Sequence, residues 1–239
     1  MSHESYFDQV ALSFAEFSET PLYDQRVRAF LEQAEVDRPT DRRPRCLDIG
    51  CGPGGLSVAF ANHGFEVLGV DASAQMLDRA QRAAASAHLP ISLRQIDLSV
   101  DFPVLDFSPE LIVCSSVLEY LERPADVVRR AARVLAPGGL FLVSVPNHES
   151  LVRRVEQARY ALRGRGSYVD QQRSSMTYKE LISTGEAAGL HRLATRHFSA
   201  PPNIERWSRW RLIGTLTLIA FRKPTRSRRP ATPRELAQT

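Results

Sequence analysis

Short apolar runs alternate with longer amphipathic stretches through the middle of this chain. The apolar runs lie at 45–49, 66–70, 91–96, 110–115 and 140–145, and their length is that of buried strands. Between them, the segments 54–63, 74–87 and 124–135 have the apolar spacing of helices. Strands that alternate with helices in this way form a parallel sheet covered on both faces. The pattern therefore predicts an α/β domain built on a doubly wound sheet.

The two ends of the chain add elements to this framework. Residues 5–36 carry apolar positions that fit two helices, with Pro21 between them, and the polar segment 37–44 is a predicted linker. Toward the carboxyl end, a helix is predicted at about 178–188, with Thr177 as its cap and Gly189 as its stop. Strands at about 191–198 and 211–221 complete the prediction.

The segment 148–176 follows the fifth strand and interrupts the simple alternation. Its apolar residues recur at helical spacing, and arginines stand between them; the apolar positions are Leu151, Val152, Val155, Ala158 and Leu162. Because the insertion lies beside the expected substrate entrance, we interpret 148–176 as a lid that closes over substrate and excludes water. A solvated amphipathic helix without substrate contact is the alternative.

The composition is that of one domain with room for a full core, in 239 residues. Residues 1–20 carry acids and lack the apolar stretch of a secretory signal. The longest apolar run, 212–221, is about half as long as a membrane span. Three cysteines fit reduced thiols. These features predict a cytoplasmic protein without a membrane span.

The net charge of +4 is concentrated at the carboxyl end of the chain. Residues 222–239 hold six basic residues and one acid, so residues 1–221 sum to −1. We interpret 223–239 as a basic disordered tail on a nearly neutral domain, 1–222. A polyanion-binding arm is the alternative, but the neutral body argues against a nucleic-acid partner.

A glycine-rich loop, LDIGCGPGG at 47–55, joins the first strand to the first helix of the sheet. Asp48 begins it, and a carboxylate there suits a ligand with an ammonium and a sulfonium but repels a pyrophosphate. Pro53 removes a backbone N–H that a phosphate cradle would use. Asp71, at the end of the second strand, can accept hydrogen bonds from both hydroxyls of a ribose. These details favour S-adenosylmethionine over a dinucleotide.

Five stretches of the chain resemble the class I S-adenosylmethionine-dependent methyltransferases, nearest in style to ubiquinone-biosynthesis O-methyltransferases and related small-molecule enzymes. They are LDIGCGPGG at 47–55, GVDAS at 69–73, RQIDLS at 94–99, LIVCSSVLEYLERP at 111–124 and RVLAPGGLFLVSVPN at 133–147. The resemblance implies a Rossmann-like sheet of seven strands, mostly parallel with an antiparallel last strand, plus N-terminal helices and a helical lid. It also implies these cofactor-binding residues: Asp48, Gly50, Cys51, Gly52, Asp71, Ala72, Asp97, Leu98 and Ser115.

Each of these positions has an expected role by resemblance. Asp48 and the loop backbone hold the methionine part, Asp71 holds the ribose, and Asp97 with the backbone of Leu98 meets the adenine amino edge. Ser115 lies near the sulfonium. Two alternatives stay open: Asp97 simply starts a turn, or Ser115 is an ordinary strand-end residue.

Methyl transfer is an in-line displacement, for which a protein aligns the acceptor with the methyl group and sometimes removes a proton. His148, just past the fifth strand, is the first candidate base because the pKa of histidine lies near neutrality. Tyr168 is the second and Tyr120 a weaker one; a structural histidine is the alternative. Tyr6 and Phe14 are candidates for packing near the donor, with ordinary helix packing as the alternative.

Some ubiquinone-type relatives bind a divalent metal through acids and a histidine after the fourth strand. Here Ser116 and Tyr120 occupy positions of an acid and the histidine, and only Glu119 matches, so we predict no metal. The chain also lacks the Asn/Asp-Pro-Pro-aromatic pattern with which amino-base methyltransferases hold a flipped base, and it has no Pro-Cys pair.

The function predicted from the sequence is therefore methyl transfer to an oxygen, or else a nitrogen, of a small-molecule acceptor in quinone or secondary metabolism. S-adenosylmethionine is the expected cofactor, S-adenosylhomocysteine the product, and a monomer or homodimer the expected state. Two alternatives remain: an RNA or protein methyltransferase that uses the basic tail, or a non-catalytic cofactor-binding regulator.

Overall fold

The computed structural model describes residues 20–35, 41–162 and 172–225. In these ranges the strands are β1 (Arg45–Ile49), β2 (Glu66–Asp71), β3 (Ile91–Gln95), β4 (Leu111–Ser115), β5 (Leu140–Pro146), β6 (His191–Phe198) and β7 (Leu216–Arg222). They form one sheet in the order β3-β2-β1-β4-β5-β7-β6. β1 to β5 pair in parallel, whereas β7 runs antiparallel to both β5 and β6. The predicted Rossmann-like α/β fold is confirmed, including the antiparallel last strand.

Helices connect the strands and cover the sheet. They are α1 (Pro21–Leu31), α2 (Gly55–Asn62), α3 (Ala74–Ala87), α4 (Pro124–Val134), α5 (Leu151–Leu162) and α6 (Tyr178–Ala187), with short 3-10 helices at Leu118–Tyr120 and Pro202–Trp207. Local chemistry explains where several begin. Ser73 caps α3 by accepting a hydrogen bond from the N–H of Met76, and Thr177 forms a capping box with Glu180 on α6.

The central strands are buried on both faces, as expected for parallel strands between helices. Neighbouring residues of one strand belong to different apolar cores, because side chains alternate across a strand. Leu47 joins one core while Cys46 joins the other, and Ile112 and Val113 divide in the same way. This packing explains why the apolar runs in the sequence are continuous.

The carboxyl ends of the parallel strands meet at one edge of the sheet. Ile49 lies beside Cys114 across β1 and β4, and Asp71 lies beside Gln95 across β2 and β3. The order of the strands reverses between β1 and β4, and such a switch point opens a crevice where ligands bind in α/β sheets. The glycine loop after β1 and the residues after β4 border this crevice.

The strand predicted at 211–221 begins only at Leu216, so its first five residues were predicted wrongly. Residues 211–213 form a turn instead. Asn147 holds this turn, since its Nδ2 donates to the carbonyl oxygens of Arg211 (2.6 Å) and Gly214 (2.7 Å). A Cβ at Gly214 would lie 2.2 Å from the carbonyl oxygen of Ser208. The backbone at Gly214 therefore lies too close to Ser208 for a residue with a side chain.

The helix predicted in the insertion is present as α5, but two of its predicted apolar positions are exposed. Leu151 is 53% exposed and Val155 is 58% exposed, whereas Arg153 is only 5% exposed. The other predicted boundaries need small changes, of which the largest is at α1, whose predicted end at residue 35 is at Leu31. In the described ranges, no helix has the length and apolar character needed to cross a membrane.

Candidate cofactor and acceptor site

The loop between β1 and α2 contains three glycines with positive φ. Gly50, Gly52 and Gly54 have φ of 67°, 53° and 87°, a conformation that residues with side chains rarely adopt. A Cβ at Gly50 would lie 2.3 Å from Cγ2 of Val117, but a Cβ at Gly52 would have no atom within 4 Å. The loop is therefore tight where it meets the residues after β4 and open at Gly52, where a ligand has room to approach the backbone.

Asp71 connects this loop to the end of β2. Its Oδ2 accepts a hydrogen bond from the N–H of Gly52 (2.9 Å), and its Oδ1 accepts one from the N–H of Ser73 (3.0 Å). A carboxylate oxygen can accept more than one hydrogen bond. Contact with a ribose stays a prediction for Asp71, and the structure adds the positioning of Gly52.

Asp48 lies beneath the loop rather than at its surface. It is 1% exposed, and its Oδ2 accepts a hydrogen bond of 2.6 Å from the hydroxyl of Ser57. Burial raises the pKa of the Asp48 carboxyl from 3.8 to about 7, although the Ser57 bond opposes the shift. A cation bound nearby would favour the ionised carboxylate, which agrees with the predicted role toward the ammonium of methionine.

Two further predicted residues, Cys51 and Ala72, make contacts within the protein. Cys51 is buried, with its sulfur close to Gly69, and burial raises the pKa of its thiol well above the usual value. The thiol therefore stays protonated and unreactive. Ala72 is partly buried, and its carbonyl oxygen accepts a hydrogen bond of 2.9 Å from Nε2 of Gln95.

Asp97 and Leu98 follow β3 at the same edge of the sheet. Oδ1 of Asp97 accepts hydrogen bonds from the N–H (2.8 Å) and the hydroxyl (2.6 Å) of Ser99. Asp97 thus starts a turn, as one of the two interpretations of the sequence expected, while its contact with adenine stays a prediction. Leu98 is partly buried and packs against the apolar core.

Polar side chains meet where β4 and β5 end. The Ser115 and Ser144 hydroxyls are 3.4 Å apart, and the N–H of Ser116 donates to Oγ of Ser144 (3.1 Å). From α1, Nη1 of Arg26 donates to Oγ of Ser115 (3.2 Å). Tyr23, also on α1, packs so closely that a Cβ at Gly55 would lie 2.4 Å from its hydroxyl. Helix α1 therefore borders both the donor loop and the end of β4.

Glu119, on the short helix after β4, is a buried acid at this same place. It is 5% exposed, and its Oε2 has no hydrogen-bond partner in the part of the chain that the structure describes. Burial raises the pKa of its carboxyl from 4.5 to about 7, while the positive charges of Arg26 and Arg153 oppose the shift. A carboxyl of this kind can take up a proton near neutrality. The sequence indicated Glu119 only as a remnant of a metal-binding pattern.

Arg153, in the first turns of α5, is a buried cation, although in the sequence it is one of the arginines that stand between the apolar positions of this helix. It is 5% exposed, and its Nε and Nη2 are buried without a hydrogen-bond partner among the described residues. Its own N–H donates to Oγ of Ser150 (3.3 Å). No periodicity of α5 indicated this burial.

His148 lies directly after β5, at the surface. Burial of part of its ring, together with the nearby charge of Arg153, lowers its pKa below the usual value, so the ring is neutral at neutral pH and able to accept a proton.

Tyr120 lies on the short helix after β4. The other predicted site residues, Tyr168, Tyr6 and Phe14, lie outside the described residues, as do residues 226–239 of the predicted tail.

The described residues bring together no group of three or more His, Cys, Asp or Glu side chains that could hold a metal ion. The donor side of the crevice instead has two carboxylates, Asp48 and Asp71, around an open glycine. Negative charge here suits a ligand that combines positive charge with a ribose, and it disfavours a polyphosphate. The site as built therefore fits S-adenosylmethionine.

Comparison with known proteins agrees with this fit. A family model described as a methyltransferase domain matches residues 47–143. The chain is 31% identical over 171 residues to the ubiquinone biosynthesis O-methyltransferase of Paracidovorax citrulli, covering 69% of this chain and 70% of that protein. It is 29% identical over 148 residues to the enzyme of the same name from Aeromonas salmonicida, covering 61% of this chain and 62% of the relative's length.

Solved structures agree on the fold. Magnesium protoporphyrin IX methyltransferase from Synechocystis PCC 6803, solved with bound SAH, superposes with a TM-score of 0.61 at 16% identity. The match covers 93% of this chain and 88% of that one. With the sheet order, the donor loop and the sequence relatives in agreement, the chain belongs to the class I S-adenosylmethionine-dependent methyltransferases.

Proposed function

We propose that this protein transfers the methyl group of S-adenosylmethionine to a hydroxyl oxygen of a small-molecule acceptor, with Glu119 as the base that takes the hydroxyl proton. The observation that carries this proposal is the buried Glu119 carboxylate, whose Oε2 has no partner among the described residues. A hydroxyl of the acceptor would supply that oxygen with the hydrogen bond it lacks.

The proposed transfer needs only the acceptor hydroxyl, the methyl donor and Glu119. A lone pair of the acceptor oxygen attacks the methyl carbon, the bond from carbon to sulfur breaks with its electron pair going to sulfur, and Glu119 receives the proton. The products are a methyl ether and S-adenosylhomocysteine. The bound donor supplies an already activated methyl group, so the chain's own residues align the acceptor and handle its proton.

The donor is placed, in this proposal, along the crevice between β1 and β4. Asp48 and the loop backbone at Gly50 and Gly52 hold the methionine part, and Asp71 holds the ribose. The remaining contacts come from Cys51, Ala72, Asp97, Leu98 and Ser115. The position of Ser115 supports this arrangement, because it is the last residue of β4, the strand that borders the crevice opposite the glycine loop.

Oxygen as the acceptor atom is supported by the relatives, which are named ubiquinone biosynthesis O-methyltransferases. We therefore infer a phenol- or quinol-type acceptor in quinone or secondary metabolism. His148 remains the alternative base, because its ring is neutral at neutral pH and lies near Arg153.

The test is a transfer assay with S-adenosylmethionine and a panel of phenols, catechols, aliphatic alcohols and amines. Formation of S-adenosylhomocysteine and the mass of the product identify the methylated group. Ether products support the proposal, and methylation of amines alone contradicts it. Retention of the donor without transfer to any compound would favour the non-catalytic regulator. Transfer only to RNA or protein would favour the reading in which the basic tail recruits the substrate.

A further inference from the structure

We propose that the acceptor carries a carboxylate and that Arg153 binds it through Nε and Nη2. This inference rests on the proposed function, because it concerns the acceptor side of the same site. It assigns the buried guanidinium on α5 as a subsite that selects acidic acceptors over neutral ones.

The first support is the state of the guanidinium. Arg153 is only 5% exposed. Two of its nitrogens, Nε and Nη2, are buried without a hydrogen-bond partner among the described residues. Burying a cation without partners is costly, so such a group is normally paired. The N–H bonds of Nε and Nη2 lie on one edge of the planar group and point the same way. That edge matches the two oxygens of a carboxylate, which it can bind with two parallel hydrogen bonds.

The second support is the position of Arg153. Helix α5 begins three residues after His148, at the end of β5. The charge of Arg153 lowers the pKa of both Glu119 and His148, so the guanidinium is close to both candidate bases. Yet no carboxylate oxygen of a described residue lies within 4.0 Å of its nitrogens. Arg153 and Glu119 thus interact electrostatically without forming an ion pair.

A ligand with two functional groups satisfies both residues at once. Its hydroxyl would donate to Oε2 of Glu119, and its carboxylate would accept from Nε and Nη2 of Arg153.

The third support is the burial of a cation on α5. A helix that packs only for hydrophobic burial turns its apolar face inward and its arginines outward. In α5, Leu151 and Val155 are exposed while Arg153 is buried. The packing of this helix therefore buries a cation close to Ser150, which follows β5.

The experiment compares acids with their neutral amides, using protocatechuate and other hydroxybenzoates and hydroxycinnamates. Binding is measured by calorimetry on the protein saturated with S-adenosylhomocysteine, and kcat/KM is measured separately with S-adenosylmethionine. We expect at least one acid to bind tenfold or more tightly than its amide. Arg153→Met should remove this preference, and Arg153→Lys should reduce it, because lysine keeps the charge but not the paired donors. Arg154→Met, a matched change at the exposed next residue, should keep it.

The outcomes separate this inference from the proposed function. Equal binding of every acid and its amide overturns the subsite, and methyl transfer to both would leave the proposed function standing. A preference that survives Arg153→Met also overturns it, as does an ester product, which would make the carboxylate the nucleophile. Acid binding that depends on Arg153 without any methyl transfer would support the subsite and refute the proposed function. If Arg153→Met fails to fold, Arg153→Lys and the wild-type comparison decide the result.

Discussion

Replacing Glu119 with glutamine tests both the burial of this acid and its role as the base. Burial raises the pKa of the carboxyl from 4.5 to about 7, and each pKa unit corresponds to about 1.4 kcal/mol. The ionised side chain therefore lowers the free energy of unfolding by about 3 kcal/mol. The folded state holds this proton more tightly than the unfolded state. Stability thus falls as the pH rises from the unfolded pKa through the folded one, and is constant above it.

Glu119→Gln removes the ionisation while keeping the size of the side chain. The free energy of unfolding of the ligand-free variant, measured with urea, should exceed that of the wild type by up to about 3 kcal/mol near pH 8. Near pH 4 the two proteins should be almost equally stable, since the carboxyl is then mostly protonated in both the folded and unfolded states.

The same substitution should slow turnover. Loss of a general base typically costs a factor of about one hundred to ten thousand in rate. The wild-type rate should rise with pH toward a plateau above about pH 7, and the variant should lack this rise. Affinity for S-adenosylmethionine should stay within about twofold, because Glu119 acts on the acceptor. Glu122→Gln, an exposed acid on the same connection, is the matched control and should match the wild type.

Two results would refute this reasoning. A Glu119→Gln enzyme with the turnover and pH profile of the wild type would show that another group takes the proton. A variant no more stable than the wild type near pH 8 would show that the carboxyl is not held in a low-dielectric site.

Three further substitutions test the donor loop and the alternative base. Gly50→Ala should weaken donor binding at least tenfold, because the added Cβ would lie 2.3 Å from Val117 and the φ of Gly50 is 67°. Gly189→Ala is the control, because Gly189 has a φ of 83° but open space around it. This control should cost only about 1 kcal/mol of stability and leave the donor affinity measured by calorimetry unchanged. Asp71→Ala should weaken donor binding at least tenfold by freeing the N–H of Gly52, and wild-type affinity in this variant would reject the ribose assignment. His148→Ala should lower kcat less than tenfold, because Glu119 is the proposed base; a loss larger than that of Glu119→Gln would make His148 the base.

Local sequence determined much of the framework. Continuous apolar runs such as 111–115 indicated strands buried on both faces, and each of the first five predicted strands is present. Ser73 and Thr177 indicated the beginnings of α3 and α6 because a cap acts on N–H groups only three residues away. The glycine loop was also visible, since the backbone conformation at Gly50 and Gly52 depends on those residues themselves.

Only the tertiary structure decided the acceptor side of the site. Arg26 reaches Ser115 across 89 positions of sequence, a distance that no periodicity spans. In the sequence, Glu119 matches one position of a metal-binding pattern and Arg153 is one arginine of an amphipathic segment, and neither pattern indicates burial. Both are buried in the folded protein, and that loss of water gives Glu119 its raised pKa. Short-range propensity thus determined the strands, caps and turns of this protein. Desolvation determined which charged side chains can act in the site, because it depends on every element packed around a side chain.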